Sequence, residues 1–249
     1  MITNIAAYHF TPIEAPEAFA STLRARAEAL SLRGSVLVAG EGVNLFLAGG
    51  ADAIESFLAP LRADARFAGL RVKYSTSRQV PFARLKVKVK QEIISFRRPG
   101  TTPEDVRAPV VEPPTLARWL EQGHDDAGRR VVMLDTRNQQ EIAYGTFTGA
   151  LTLPIEKFTD LPAALEPHRE ALKDATVVSF CTGGIRCEKA ALWMQADGMD
   201  NVLQLDDGIL GYFEQAGGAG YDGACFVFDE RVALRPDLTP LVDDAADAA

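Results

Sequence analysis

The stretch TVVSFCTGGIRCEKAALWM, residues 176–194, decides how this chain is read. Val177–Phe180 is a short apolar run with the composition of a buried strand, and it ends at Cys181. Thr182, Gly183 and Gly184 allow a tight turn, because glycine tolerates positive φ. Ile185 and Arg186 complete the loop, and a helix is predicted from about Cys187 to Asp197. A strand that passes through such a turn into a helix aims free backbone N–H groups at the turn's centre, where the helix dipole is positive. A thiolate or persulfide on Cys181 would be stabilised there and the thiol pKa lowered. Cys187 has two readings, a thiol that resolves a persulfide or disulfide and a small apolar side chain that simply packs.

Working outward, strands and helices alternate around this loop. Thr115–Gln122 is predicted helical, Arg130–Leu134 a strand leading into Asp135, Leu151–Pro154 a short strand, Leu161–Leu172 helical, Asn201–Leu205 a strand and Ile209–Ala216 a helix. Repeated strand–helix units imply a parallel sheet with helices on both faces. In sheets of this kind substrates meet the carboxyl ends of the strands, where Cys181 falls.

The beginning of the chain reads strand, helix, strand, strand, helix, strand. Asn4–Phe10, Ser35–Ala39, Leu45–Ala48 and Leu70–Tyr74 are the strands, with EGVN (41–44) as a turn. Pro16–Ser31 is the first helix, and Asp52 is placed to cap the second. This order predicts a ferredoxin-like α+β layer. The fold class is therefore α/β overall, with an N-terminal α+β domain over 1–96, a proline-rich linker over 97–114, a catalytic domain over 115–230 and an acidic tail over 231–249.

The chain has 249 residues and a net charge of −8, a total that disfavours a general nucleic-acid binder. The charge is uneven. Between Arg71 and Arg98 there are nine Lys or Arg against one acid, a net +8 that leaves −16 on the rest. Within that stretch RLKVKVK (84–90) alternates strictly, so Arg84, Lys86, Lys88 and Lys90 share one face of a strand. That face is either merely solvated or a surface for an anionic partner. Three cysteines suit reduced thiols better than a disulfide framework. His9, His124 and His168 are scattered and no metal-ligand spacing is present, so no metal is expected. No glycine-rich dinucleotide fingerprint is seen, and neither a membrane span nor a signal peptide is expected. Cytoplasmic location is the expectation.

Cys181 and Arg186 are separated by four residues. Cysteine phosphatases have five at this place, and the shorter loop resembles that of rhodaneses. The segment LDTRNQQEIAYGTFTGALTLP (134–154) also resembles a rhodanese stretch, matching at Asp135, Arg137, Glu141, Gly145, Gly149, Ala150 and Pro154, with Thr146 where a histidine is usual. Asp135 and Arg137 are read as supporting residues, an ion pair at a strand end more than groups that act directly.

The joint occurrence of CTGGIRCEKAALWM, YDGACFVFDER, EGVN and FARLKVKVKQEIISF resembles the bacterial tRNA uridine hydroxylase family, TrhO, over about Ile5–Arg231. That resemblance implies a ferredoxin-like domain fused to a rhodanese-like domain. It also implies oxygen-dependent formation of 5-hydroxyuridine at the wobble position of tRNA, with molecular oxygen as co-substrate, the anticodon loop as partner and Cys181 as the active cysteine. Two departures stand out. Residues 232–249 hold no cysteine where many members have a cysteine-rich tail, and Asp207 stands where glycine is frequent. The competing reading is a sulfurtransferase that passes sulfane sulfur through a Cys181 persulfide, since both activities need the same nucleophile.

Overall fold

In the computed structural model, which describes residues 1–103 and 107–242, the chain divides into two compact units. The first holds Met1–Ser95, Phe228–Val232 and the chain from Thr239; the second holds Phe96–Val227 and Ala233–Leu238.

The first unit runs β1 (Ile2–Phe10), α1 (Pro16–Ala29), β2 (Arg33–Ala39), β3 (Gly42–Gly49), α2 (Ala51–Ala63), β4 (Arg71–Ser77) and β5 (Leu85–Val89). The sheet order is β4-β1-β3-β2-β5, antiparallel except that β5 lies parallel to β2 at the edge. Its first four strands with their two helices make the expected ferredoxin-like layer. Leu23 and Ala27 of α1 and Ile54, Phe57, Leu58 and Leu61 of α2 join the alternate strand residues Ile5, Val36, Val38, Leu45 and Leu47 in one core.

Several local expectations are corrected. The turn before β3 is Gly40 and Glu41; Gly42, Val43 and Asn44 are already strand, paired with Phe10, His9 and Tyr8. Gly42 is there because β1 passes so close that a Cβ would lie 2.1 Å from the His9 carbonyl oxygen. Gly50, not Asp52, is the N-cap of α2; Asp52 falls in the first turn, where its charge still complements the helix dipole. On β5 only Val87 of the three apolar residues is buried, while Leu85 is half-buried and Val89 exposed, because an edge strand has a neighbour on one side only.

The segment FVFDER contributes to this unit too. Arg231 is buried, paired with Asp229 at 2.6 Å, and donates to Ser75 Oγ on β4 at 2.7 Å.

The second unit runs β6 (Val110–Val111), α3 (Pro113–Gln122), β7 (Val131–Asp135), α4 (Gln139–Ile142), β8 (Gly145–Phe147), β9 (Leu151–Thr152), α5 (Leu161–Leu165), α6 (Arg169–Leu172), β10 (Thr176–Phe180), α7 (Ile185–Ala196), β11 (Val202–Leu205), α8 (Gly208–Ala216), β12 (Tyr221–Gly223), β13 (Cys225–Phe226) and β14 (Ala233–Leu234). A parallel sheet of order β6-β11-β10-β7-β9 carries helices, with β10 at its centre. Val178 and Phe180 pack into a core with Leu116 and Trp119 of α3 and Ile209 and Phe213 of α8. Val177 and Ser179 point to the opposite face and are equally buried, so the strand is covered on both sides.

The proline-rich stretch is not wholly a connection. Val110 and Val111 extend the sheet beside β11, and α3 starts at Pro113, where a missing N–H costs nothing. The single helix expected over 161–172 is broken into α5, a 3-10 turn at Glu166–His168 and α6, because Pro167 cannot continue the hydrogen-bond ladder. Of the acidic tail expected over 231–249, Ala233–Leu234 forms the buried strand β14, and residues 243–249 lie outside the described residues. No helix among the described residues is long and apolar enough to cross a membrane.

Candidate active site

The site begins where β10 ends. Cys181 follows Phe180 directly and is 0% exposed, as are Cys187 and Cys225. The helix starts two residues earlier than the sequence indicated, at Ile185, with Gly184 as its N-cap at φ +98°. This tightens the loop, and Gly184 donates its backbone N–H to Cys181 Sγ at 3.2 Å. Gly183 is different: its φ is not in the left-handed region, and a Cβ added to it meets nothing within 4 Å.

Burial alone pushes the Cys181 thiol pKa up. A hydrogen bond from Cys187, the charge of Arg186 and the N–H groups of Arg186 and Gly184 more than offset it, and the net direction is down. Burial and its position beside the Cys181 sulfur drive the Cys187 thiol well up, so the proton stays on Cys187 and the negative charge on Cys181. Thr136 Oγ1 lies 3.7 Å from Cys187 Sγ on the other side.

Arg186 is held by a partner from elsewhere in the chain. Its Nη1 and Nη2 donate to Glu141 Oε2 and Oε1, both at 2.6 Å, and both residues are buried. Burial pushes the Glu141 carboxyl pKa up, but the charge and hydrogen bonds of Arg186 bring it below its ordinary value. Glu141 is positioned by a capping box, in which Asn138 Oδ1 accepts from the Glu141 N–H and Glu141 Oε2 accepts from the Asn138 N–H. Thr182 Oγ1 sits 3.4 Å from Glu141 Oε1.

The start of α8 supports the loop from behind. The N–H groups of Ile209 and Leu210 donate to the carbonyls of Cys181 and Thr182 at 2.9 and 3.0 Å. With those carbonyls engaged by α8, the loop's own N–H groups are left to face the sulfur. Gly208, at φ +62°, makes this approach possible, because a Cβ there would lie 2.5 Å from the Cys181 carbonyl oxygen.

The arrangement is a buried thiolate held by N–H donors and one paired guanidinium, chemistry suited to a nucleophile or to a sulfur carrier. A model of the UPF0176 acylphosphatase like domain matches residues 2–93, and one of the rhodanese-like domain matches residues 116–215. A tRNA uridine(34) hydroxylase from Xanthomonas campestris pv. campestris (strain 8004) is 70% identical over 246 residues, which is 99% of this chain and 97% of that protein. The chain belongs to the tRNA uridine(34) hydroxylase family. A second tRNA uridine(34) hydroxylase, from Xylella fastidiosa (strain M23), is 66% identical over 98% of this chain and 95% of its own.

In this member of the tRNA uridine(34) hydroxylase family, Asp135 stands one position before the cysteine in sheet register, since it pairs with Phe180, and Arg137 follows just past the end of that strand. Both are 0% exposed. Arg137 Nη2 and Nε donate to Asp135 Oδ2 and Oδ1 at 2.6 and 2.9 Å, and Arg137 Nη2 also reaches the Gly145 carbonyl at 2.7 Å. Thr146 donates its hydroxyl to Asp135 Oδ2 at 2.8 Å, so this residue, which stands where rhodaneses have histidine, belongs to the ion pair's surroundings.

The loop residues Thr182 to Arg186 are brought together around Cys181. Arg84, Lys86, Lys88 and Lys90 belong to the other unit, on or beside the edge strand β5, and all four are exposed. Glu141 as the clamp on Arg186, and Gly208 as the seat of the loop, were not singled out as site residues from the sequence. Glu141 had a signal in its capping spacing from Asn138, and Gly208 in a glycine that follows two acids before a helix.

Among the described residues no group of three or more His, Cys, Asp or Glu is placed to hold a metal ion. His9 and His124 each lie 2.9 Å from a backbone carbonyl, of Arg66 and Asp125 respectively.

Proposed function

We propose that this protein hydroxylates the wobble uridine of tRNA to 5-hydroxyuridine in an oxygen-dependent reaction, with Cys181 as the active-site cysteine. The observation that carries the reading is the Cys181 thiolate cradle in a chain 70% identical, over 99% of its length, to a tRNA uridine(34) hydroxylase. The reacting base lies in the single-stranded anticodon loop, whose bases are accessible to protein side chains in a way that paired bases are not. An acidic protein needs a local cationic surface to hold the loop's phosphates, and the exposed Arg84, Lys86, Lys88 and Lys90 supply the candidate. A tRNA substrate puts the reaction in the cytoplasm.

The test is nucleoside mass spectrometry of tRNA from cells lacking the protein. Complementation with wild type should restore 5-hydroxyuridine, and Cys181→Ser should not, because serine is nearly isosteric with cysteine but a poor nucleophile at neutral pH. Full restoration by the variant would remove Cys181 from the reaction. Unchanged tRNA in the deletion, together with transfer of sulfane sulfur to cyanide by the purified protein, would establish the sulfurtransferase reading instead.

A further inference from the structure

An aromatic pair stands beside the cysteine loop. Tyr144 follows α4 closely, and its ring rests on Phe226 with centroids 5.3 Å apart and planes inclined by 40°. Phe226 is buried, whereas Tyr144 is 37% exposed. Thr182, the residue after Cys181, touches both supports of this pair. Its hydroxyl lies 3.4 Å from Glu141 Oε1 on α4 and 3.5 Å from the Phe226 carbonyl oxygen.

The backbone under Tyr144 is fixed on both sides. Its carbonyl accepts the Ala224 N–H at 2.8 Å. Gly145 pairs with Gly223 where β8 meets β12, and each is a glycine of necessity. A Cβ on Gly223 would lie 2.4 Å from the Tyr144 carbonyl oxygen, and one on Gly145 2.5 Å from that of Asp222. The Gly145 carbonyl is held in turn by Arg137 Nη2 at 2.7 Å and by the Tyr221 hydroxyl at 2.9 Å. The buried Asp135–Arg137 pair thus anchors the tyrosine's platform.

We infer that Tyr144, backed by Phe226, is a stacking platform for a pyrimidine base brought to Cys181; this rests on the proposed action on a tRNA uridine. A partly exposed ring on a pinned backbone, flanked by the two groups that the residue after Cys181 touches, matches what an unstacked base requires. Each base offers a π-face, and stacking on an aromatic side chain replaces the neighbours it lost on leaving the anticodon stack. A small sulfur acceptor such as cyanide has no use for such a surface.

The probe is an anticodon stem–loop RNA carrying either uridine or an abasic residue at position 34, titrated against the full-length protein at fixed salt. Wild type should favour the uridine RNA by about 5- to 150-fold, the range set by stacking one base on an aromatic ring. Tyr144→Phe should keep that preference. Tyr144→Ala should lose it while binding the abasic RNA as wild type does. Tyr144→Leu retains apolar cover over Phe226 without a π-face, so it should also lose the preference even if the alanine variant folds poorly. Equal binding of the two RNAs by wild type, or an undiminished uridine preference in Tyr144→Leu, overturns the inference. Hydroxylation of tRNA by wild type is scored separately: its absence would overturn the proposed reaction, while the variant titrations would still decide whether Tyr144 stacks a base.

Discussion

Glu141 and Arg186 meet end to end in a buried ion pair, with two N···O distances of 2.6 Å, and so tie α4 to the first turn of α7 beneath Cys181. The pair fixes the guanidinium where its charge lowers the thiol pKa, and it satisfies a cation that burial would otherwise make costly. Removing one partner leaves the other buried and uncompensated. Arg186→Met should therefore lower stability by about 3–5 kcal/mol, as expected for breaking a buried pair. In the folded fraction the Cys181 pKa should rise, since a cation that favours the thiolate is gone. Chemical denaturation and the pH dependence of thiol alkylation read the two effects separately, and an unchanged pKa would show that the backbone N–H groups alone set it.

The three cysteines differ in charge rather than in exposure. Cys181 is shifted down, Cys187 well up, and Cys225, through burial first of all, to about 12. With a small alkylating agent, Cys181 should label fastest, and its rate should change little between about pH 9 and 7, because the thiolate persists below the ordinary cysteine pKa. The other two should slow roughly tenfold per unit as pH falls, as thiols titrating above that range do. Peptide mass spectrometry resolves the sites, and equal slow labelling of all three would remove the anion-cradle argument.

Glycines of the site are unequal. Gly183→Ala should be tolerated, since its Cβ enters open space. Gly184→Ala places alanine at φ +98°, a left-handed conformation that costs an L-residue about 1–2 kcal/mol. Gly208→Ala should cost more than that, because the same kind of strain at φ +62° adds a backbone contact at 2.5 Å. It should also reduce Cys181 reactivity by pushing α8 off the loop. Melting curves and alkylation rates check the order, and a Gly208→Ala protein as stable and reactive as wild type would contradict the geometry.

Lys86 and Lys88 project from β5 and Lys90 from just beyond it, successive ones about 6.5–7 Å apart. Neutralising each engaged phosphate of a single strand adds about 0.7 to the magnitude of the salt slope. The triple change to Gln at Lys86, Lys88 and Lys90 should weaken tRNA binding and flatten its salt dependence by up to about two units. Titration at several salt concentrations measures it. An unchanged slope would mean that these lysines only solvate an exposed edge.

The amino-acid sequence by itself determined the order of strands and helices, the cysteine loop between β10 and α7, and the separation into an α+β part and a parallel-sheet part. These follow from periodicity and turn chemistry, which act between residues close in the chain. TVVSF followed by CTGG can only end a strand and turn it, whatever surrounds it. Tertiary structure decided what the loop touches. Glu141 reaches Arg186 from 45 residues away, Gly208 brings the α8 N-terminus against the Cys181 carbonyl, and Arg231 crosses 156 residues to Ser75. No local pattern encodes such meetings, because they depend on sheet register and on which helix packs where. The alternation of 84–90 shows the same division. Its period correctly predicted a strand, but how far Leu85, Val87 and Val89 are covered was set by β5 lying at an edge, with β2 on one side only.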